Sequence, residues 1–189
     1  MYGGLLMRRD VIRTKKRIES AYYELCLKKG VQRITVNDIL AEADVSRGTF
    51  YAHYRDIQDL SEHLENYIAE TWRDILSEAT LAQLMEDPRQ QVRRMLTHML
   101  ERREEYRALI QRGGNTRLFN KLKALLTQAL AEKQEHHTDR EAIVIACVAG
   151  AILDSCVCWL LSDEPDQELL IDTVSAFLSG GLQKIYGGQ

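Results

Sequence analysis

The sequence predicts an all-α fold, and three observations carry that prediction. Only two prolines punctuate 189 residues, so little interrupts regular structure. Leu, Ala, Glu, Gln and Arg, all good helix formers, are abundant. Apolar side chains recur every three or four positions over most of the chain, and the alternation of a half-buried strand is scarce. At this length the chain holds one sizeable core, or a small domain joined to a larger one.

The first helix is expected from about Arg8 to Lys29, with Val11, Ile18, Ala21, Tyr22 and Leu25 on one stripe and Gly30 closing it behind two lysines. Thr35 can cap a short helix with Asp38 three residues on, and Ile39, Leu40 and Ala43 turn inward. Asp44 falls in a tight turn that calls for positive φ, which Asp tolerates less well than Gly. Ser46 then caps a second short helix, Arg47 to about Tyr54. Two short helices across such a turn spell a helix-turn-helix. A fourth helix starts near Asp56 and runs through Leu60, Leu64, Tyr67, Ile68, Trp72 and Ile75.

Further along, Asp87-Pro88 opens a helix to about Arg112, stopped by Gly113-Gly114. Another runs from about Thr116 to Gln134. Thr138-x-x-Glu141 is a capping box for an apolar helix over about 139–162. Residues 163–165 break the chain before a last helix over about 166–186. That apolar helix holds a 20-residue run, 142–161, whose single charge is Asp154, and it is long enough to cross a bilayer. Its flanks are acidic and carry no Lys/Arg cluster, and a mid-span Asp is costly in lipid. The expectation is the central helix of a soluble bundle or a dimer interface, not a membrane span.

Charge is uneven. The chain's net charge is −3, yet residues 1–33 carry nine Lys/Arg against three acids, while the rest carries 16 against 25. A basic end on an acidic body suits either an anionic partner at one end or a solvated helix face. Cys26, Cys147, Cys156 and Cys158 lack zinc-site spacing, and no signal peptide opens the chain. They read as buried, reduced thiols of a cytoplasmic protein, with a redox sensor as the alternative. No catalytic triad, metal cluster or phosphate loop is found, so neither an enzyme, a metal nor a cofactor is expected. His136-His137 reads as a polar helix end.

The stretch "VSRGTFYAHY", residues 45–54, holds the strongest functional pattern. At roughly 100° per residue, Phe50 and Tyr54 share the core side with Val45. Gly48 and Ala52 lie opposite, flanked by Arg47 and Tyr51 on one edge and by Thr49 and His53 on the other. A small centre lets the helix backbone sink into a major groove, where the flanking groups reach phosphates and base edges. The N-terminus capped by Ser46 favours a phosphate.

Residues 34–60, "ITVNDILAEADVSRGTFYAHYRDIQDL", resemble the DNA-binding signature of the TetR family of bacterial transcriptional regulators. The turn, the Thr-Phe-Tyr-x-His-Tyr core and the closing Asp-Leu fall in register over the first third of the chain. The resemblance implies a three-helix DNA-binding domain, residues 1–56, and a helical ligand-binding and dimerisation domain, residues 57–189. It implies that Thr35 and Asn37 contact backbone or a base from the second helix. Arg47, Thr49, Tyr51 and His53 fall at recognition-helix positions, Tyr51 and His53 on phosphates and Arg47 on guanine O6/N7. Asp44 departs from the family's turn glycine, and Ile57 stands where many members place a phosphate-binding lysine, a role left to Arg55. Arg8, Arg9, Arg13, Lys15 and Lys16 can add backbone contacts.

The second domain then has two candidate surfaces. Val92, Met95, Met99, Arg102, Tyr106 and Leu109 form one stripe of the 88–112 helix, a core stripe with a pocket as the alternative. Candidate effector contacts are Trp72, Met95, Met99, Arg102, Tyr106 and Asp154, the last taken as buried and needing a partner. The resemblance implies dimerisation through the last two helices, with Gly150, Leu153, Val157, Leu161, Val174, Phe177 and Leu178 as interface. A homodimer on a palindromic double-stranded operator, released by a small-molecule effector, follows from it. Activation by a protein partner is a variant, since "TFYAHYRDIQDL" weakly resembles a branch that includes regulators of dihydroxyacetone kinase genes. A helical enzyme and a helical interaction protein without DNA binding are the other classes. The basic first helix and the groove-shaped third argue against the latter.

Overall fold

A computed structural model of the chain describes residues 3–77, 79–110, 117–131, 138–163 and 165–186, with side chains from residue 10 onward. Ten α-helices and no strand occur among the described residues. They are α1 (Gly3–Lys29), α2 (Val36–Ala43), α3 (Arg47–His53), α4 (Ile57–Leu76), α5 (Leu81–Glu86), α6 (Pro88–Glu101), α7 (Arg103–Leu109), α8 (Arg117–Ala131), α9 (Asp139–Leu160) and α10 (Gln167–Tyr186). They pack as two compact units. One is Met1–Ile68 with Arg107–Asn115, the other Ala69–Tyr106 with Thr116–Gln189. Helix α4 contributes its first turns to one and its last to the other.

In the first unit, α1 lies on α2. Ile18, Ala21, Tyr22 and Leu25 are buried as their spacing demands, whereas Val11 is 50% exposed. Val11 lies on the same stripe two turns earlier, on a helix that begins at Gly3 and not at Arg8. Gly30 closes α1 at φ 79°, its N–H donating to the Cys26 carbonyl at 2.9 Å. Along α4, Leu60, Leu64, Ile68 and Trp72 are buried, whereas Tyr67 is exposed.

The second unit departs from expectation in three places. A helix not foreseen, α5, begins at Thr80, whose hydroxyl accepts from Gln83 N–H at 3.0 Å while Gln83 reaches back to the Thr80 N–H. The single helix expected over 88–112 is two, α6 and α7, divided at Arg102 (φ −130°, ψ 29°). Its expected Gly113-Gly114 stop lies outside the described residues, as does His136-His137. Third, only Cys26 and Cys156 are buried thiols; Cys147 and Cys158 are exposed on α9. Burial pushes Cys26 and Cys156 each up to about 12, so both stay protonated and unreactive at neutral pH.

Helix α9 packs against α8 and α10, and α10 also against α5 and α6. It starts at the expected capping box, where the Thr138 hydroxyl accepts from the Glu141 N–H and the Glu141 carboxylate from the Thr138 N–H. Val144, Ile145, Val148, Ile152, Leu153, Cys156 and Leu160 are buried within the unit. Neighbouring helices of the unit thus cover half of the long apolar run.

Candidate nucleic-acid interface

Helix α2 is built by its N-cap. Thr35 accepts from Asp38 N–H at 3.2 Å, and Asp38 accepts from Thr35 N–H at 2.9 Å. The Lys29 ammonium at 2.6 Å, together with these Thr35 bonds, holds the Asp38 carboxyl down to about 2. Asp38 therefore stays ionised and the cap stays closed across the physiological range. Ile39 and Ala43 are buried, leaving Asn37 on the exposed side.

The turn behaves as the sequence requires. Asp44 adopts the left-handed conformation at φ 49°, ψ 57°, where glycine is favoured. Its compensation was not legible in the sequence. Arg17, on α1, donates to the Asp44 carbonyl at 2.8 Å and to its carboxylate at 3.1 Å. A side chain 27 residues away thus straps the turn shut.

Ser46 then starts α3, accepting from Thr49 N–H at 3.1 Å and sharing a hydrogen bond with the Thr49 hydroxyl at 2.8 Å. Ser46→Ala removes that acceptor. It is expected to cost about 1 kcal/mol of stability, read as a lower urea midpoint. Phe50 is fully buried and Tyr54 nearly so, and the Tyr54 hydroxyl donates to Glu19 at 2.8 Å. Gly48, Ala52, Arg47 and Tyr51 are exposed, with Thr49 and His53 half-buried at the other edge. A Cβ built on Gly48 meets nothing nearer than Ser46 Oγ at 3.9 Å. Packing inside the chain therefore gives no reason for glycine here, although glycine in a helix costs about 1 kcal/mol relative to Ala.

Two cations on this surface differ in how they are held. The Arg55 backbone N–H donates to the Asp59 carboxylate at 2.9 Å and its guanidinium does so at 2.7 Å, in an exposed pair. Such pairs are worth well under about 1 kcal/mol, so Arg55 can exchange to a phosphate cheaply. Arg47 instead donates to the Asn37 amide oxygen at 2.6 Å, an arrangement the sequence did not foretell.

This surface combines two short helices, a strapped turn and a small-centred second helix, and residues 20–64 match the family described as bacterial regulatory proteins, tetR family. Over those 45 residues the chain is similar to that family. An HTH-type transcriptional regulator of Staphylococcus aureus (strain bovine RF122 / ET3-1) is 39% identical over 54 residues, 29% of each chain. The chain thus aligns with less than a third of that relative's length. Over the rest, the likeness is one of fold. A TetR transcriptional regulator from Streptococcus agalactiae 2603V matches with TM-score 0.67 at 17% identity, over 93% of this chain and 99% of that one. The dihydroxyacetone kinase operon activator DhaS matches with TM-score 0.59 at 18% identity, over 91% and 97%.

In the second unit of this TetR-type fold, Trp72, Met95, Met99 and Tyr106 are all buried. The Trp72 indole N–H donates to the Tyr106 hydroxyl at 2.5 Å. His98 stands edge-on to both rings, centroids 6.2 and 6.3 Å away, and its Nε2 is buried with no hydrogen-bond partner. Burial, then the nearby Arg102 charge, holds the His98 pKa below its usual range and keeps the ring neutral. Arg102 itself donates to Glu105 within the chain. Asp154 is exposed, not buried, so the need for a buried partner falls away. Among the expected interface residues, Leu153, Val174 and Leu178 lie in the unit's own core, because their stripes face neighbouring helices of the same chain. Gly150, Val157 and Leu161 are half-buried, and Phe177 is 68% exposed.

Proposed function

We propose that the chain is a homodimeric transcriptional repressor that binds a palindromic operator through α2 and α3 and leaves it when a small molecule occupies the second unit. The observation that carries this reading is the exposed face of α3. Gly48 and Ala52 form a backbone-deep centre between hydrogen-bonding edges, and only Phe50 within the helix is buried. Arg47 reads guanine; Thr35, Ser46, Thr49, Tyr51, His53 and Arg55 hold phosphates. The protein acts in the cytoplasm, where the DNA is.

A second copy is supported by apolar surface that one chain leaves open. Ile143 on α9 and Leu169 and Phe177 on α10 are each more than 60% exposed. Gly180 and Gly181, mid-helix on α10, have open space where a Cβ would stand. At helical spacing, Ile143, Cys147, Gly150, Asp154 and Cys158 share one face of α9. A dimer sets two recognition helices about 34–36 Å apart, matching successive major grooves. An effector site is supported by the Trp72, Met95, Met99 and Tyr106 cluster, where the unpartnered His98 Nε2 leaves one hydrogen bond for a mainly apolar ligand.

Selection of bound fragments from random duplex DNA tests the reading. A palindrome, bound with a steep loss of affinity as salt rises, is expected. Absence of enrichment removes the reader assignment and favours a helical interaction protein. On the selected site, Arg47→Ala is expected to cost about 1–3 kcal/mol and relax the preference at one base pair. Tyr51→Phe and His53→Ala should weaken operator and random DNA alike. Equal loss for Arg47→Ala on both duplexes defeats the base-reading role.

A further inference from the structure

We infer that Asn37 is a positioning residue for Arg47, acting on base choice through the guanidinium and not as an independent DNA contact. The inference rests on the reading of α3 as the DNA reader and adds a residue on the other helix of the motif. Its basis is the 2.6 Å hydrogen bond from Arg47 Nη2 to Asn37 Oδ1, which crosses the turn from the first residue of α3 to the exposed side of α2.

Three features give that bond its meaning. First, its orientation is settled by chemistry. Arginine has donors only, so the amide must present its oxygen, and Asn37 Nδ2 is turned away. Second, the partner is neutral. Neighbouring cations of this unit are held by carboxylates: Arg17 by Asp44, Lys28 by Glu24 and Glu42, Lys29 by Asp38, Arg55 by Asp59. A carboxylate on Arg47 would cancel the charge and occupy two donors of the fork in bidentate fashion. The amide takes one donor and leaves the charge whole. Third, both residues are exposed, so the bond is not there to satisfy a buried group. What it does is remove rotamer freedom from a long side chain before DNA arrives, and freedom lost beforehand need not be lost on binding.

The bond therefore aims the remaining N–H groups of Arg47 as a pair, the arrangement that distinguishes guanine by O6 and N7 from the other bases. Without Asn37, Arg47 keeps its charge and can still find a phosphate, but it samples many rotamers. General affinity survives and discrimination fades.

The experiment is a double-mutant cycle on DNA binding with wild type, Asn37→Ala, Arg47→Ala and the double variant. Each is titrated at several salt concentrations against the selected operator, the operator altered at the base pair whose preference Arg47→Ala relaxes, and a random duplex. Asn37→Ala is expected to reduce the preference at that base pair about fivefold or more, while affinity for the random duplex stays within about twofold. The double variant should discriminate no worse than Arg47→Ala alone. Equal weakening on all three duplexes with a shallower salt slope makes Asn37 a phosphate contact and overturns the inference, as do single effects that simply multiply in the double variant. In both cases a selective wild type leaves the DNA-reader function standing. If the wild type selects no sequence, that function fails and the inference goes with it.

Discussion

Replacing Phe50 by alanine is expected to cost about 3–5 kcal/mol and to abolish DNA binding with the stability it removes. Helix α3 has seven residues, too short to persist in water without packing. Phe50 is the one side chain within it that is buried, fully so, with its ring edge-on to Tyr51 at 5.5 Å and 6.1 Å from that of Tyr54. Truncation leaves a cavity beneath the recognition helix, and what remains are the buried Tyr54 with its hydrogen bond to Glu19 and the exposed Arg47–Asn37 bond. A small domain has only about 5–15 kcal/mol in all, so a loss of this size leaves little. Urea unfolding followed by circular dichroism reads the first effect, and operator titration the second. Phe50→Leu, which keeps most of the volume, should lose less than half as much and retain binding. An alanine variant that melts like the wild type would show that α3 is held by something other than Phe50.

How far such statements were legible in the sequence depends on the range of the interaction behind them. The α3 face needed only helical periodicity over residues 47–54, and the caps at Thr35, Ser46, Asp87 and Thr138 need only residues three apart. All of these are local. Helix α5 carries the same kind of signal, Thr80-x-x-Gln83, but its six residues are too few for an apolar stripe to show. The break at Arg102 has no local cause, since the Glu and Arg residues around it are good helix formers. Its neighbour Arg103 donates to the Leu160 and Ser162 carbonyls at 3.4 and 3.0 Å and lies 5.8 Å from the Trp159 ring centroid. Contacts nearly 60 residues distant fix where α7 begins, and no window of sequence contains them. The same limit hid the Arg17 strap on Asp44 and the Asn37 hold on Arg47. It also hid which stripes of α9 and α10 the chain itself covers. Periodicity places Leu178 and Phe177 on adjacent faces, yet only tertiary packing buries the first and exposes the second.

Gly48→Glu is expected to separate what Phe50→Ala joins: the fold survives and operator affinity falls about 100-fold or more, close to 2.7 kcal/mol. Inside the chain the new side chain fits, because the nearest atom to its Cβ is Ser46 Oγ at 3.9 Å. The helix gains as well. Glycine there is about 1 kcal/mol worse than a good helix former, and a carboxylate in the first turn suits the helix N-terminus. The melting temperature should therefore hold or rise. On DNA the same change fills the small centre between Arg47, Tyr51 and Thr49, props the backbone away from the groove and brings a negative charge toward phosphates. Gly48→Ala, one methyl in size, should fall between, since Ala52 already occupies the adjoining turn of that face. Melting curves and operator titrations at fixed salt on the two variants decide the matter. A stable Gly48→Glu protein with undiminished operator affinity would mean that α3 does not enter the groove by this face, and base reading would have to be sought on another surface of the first unit.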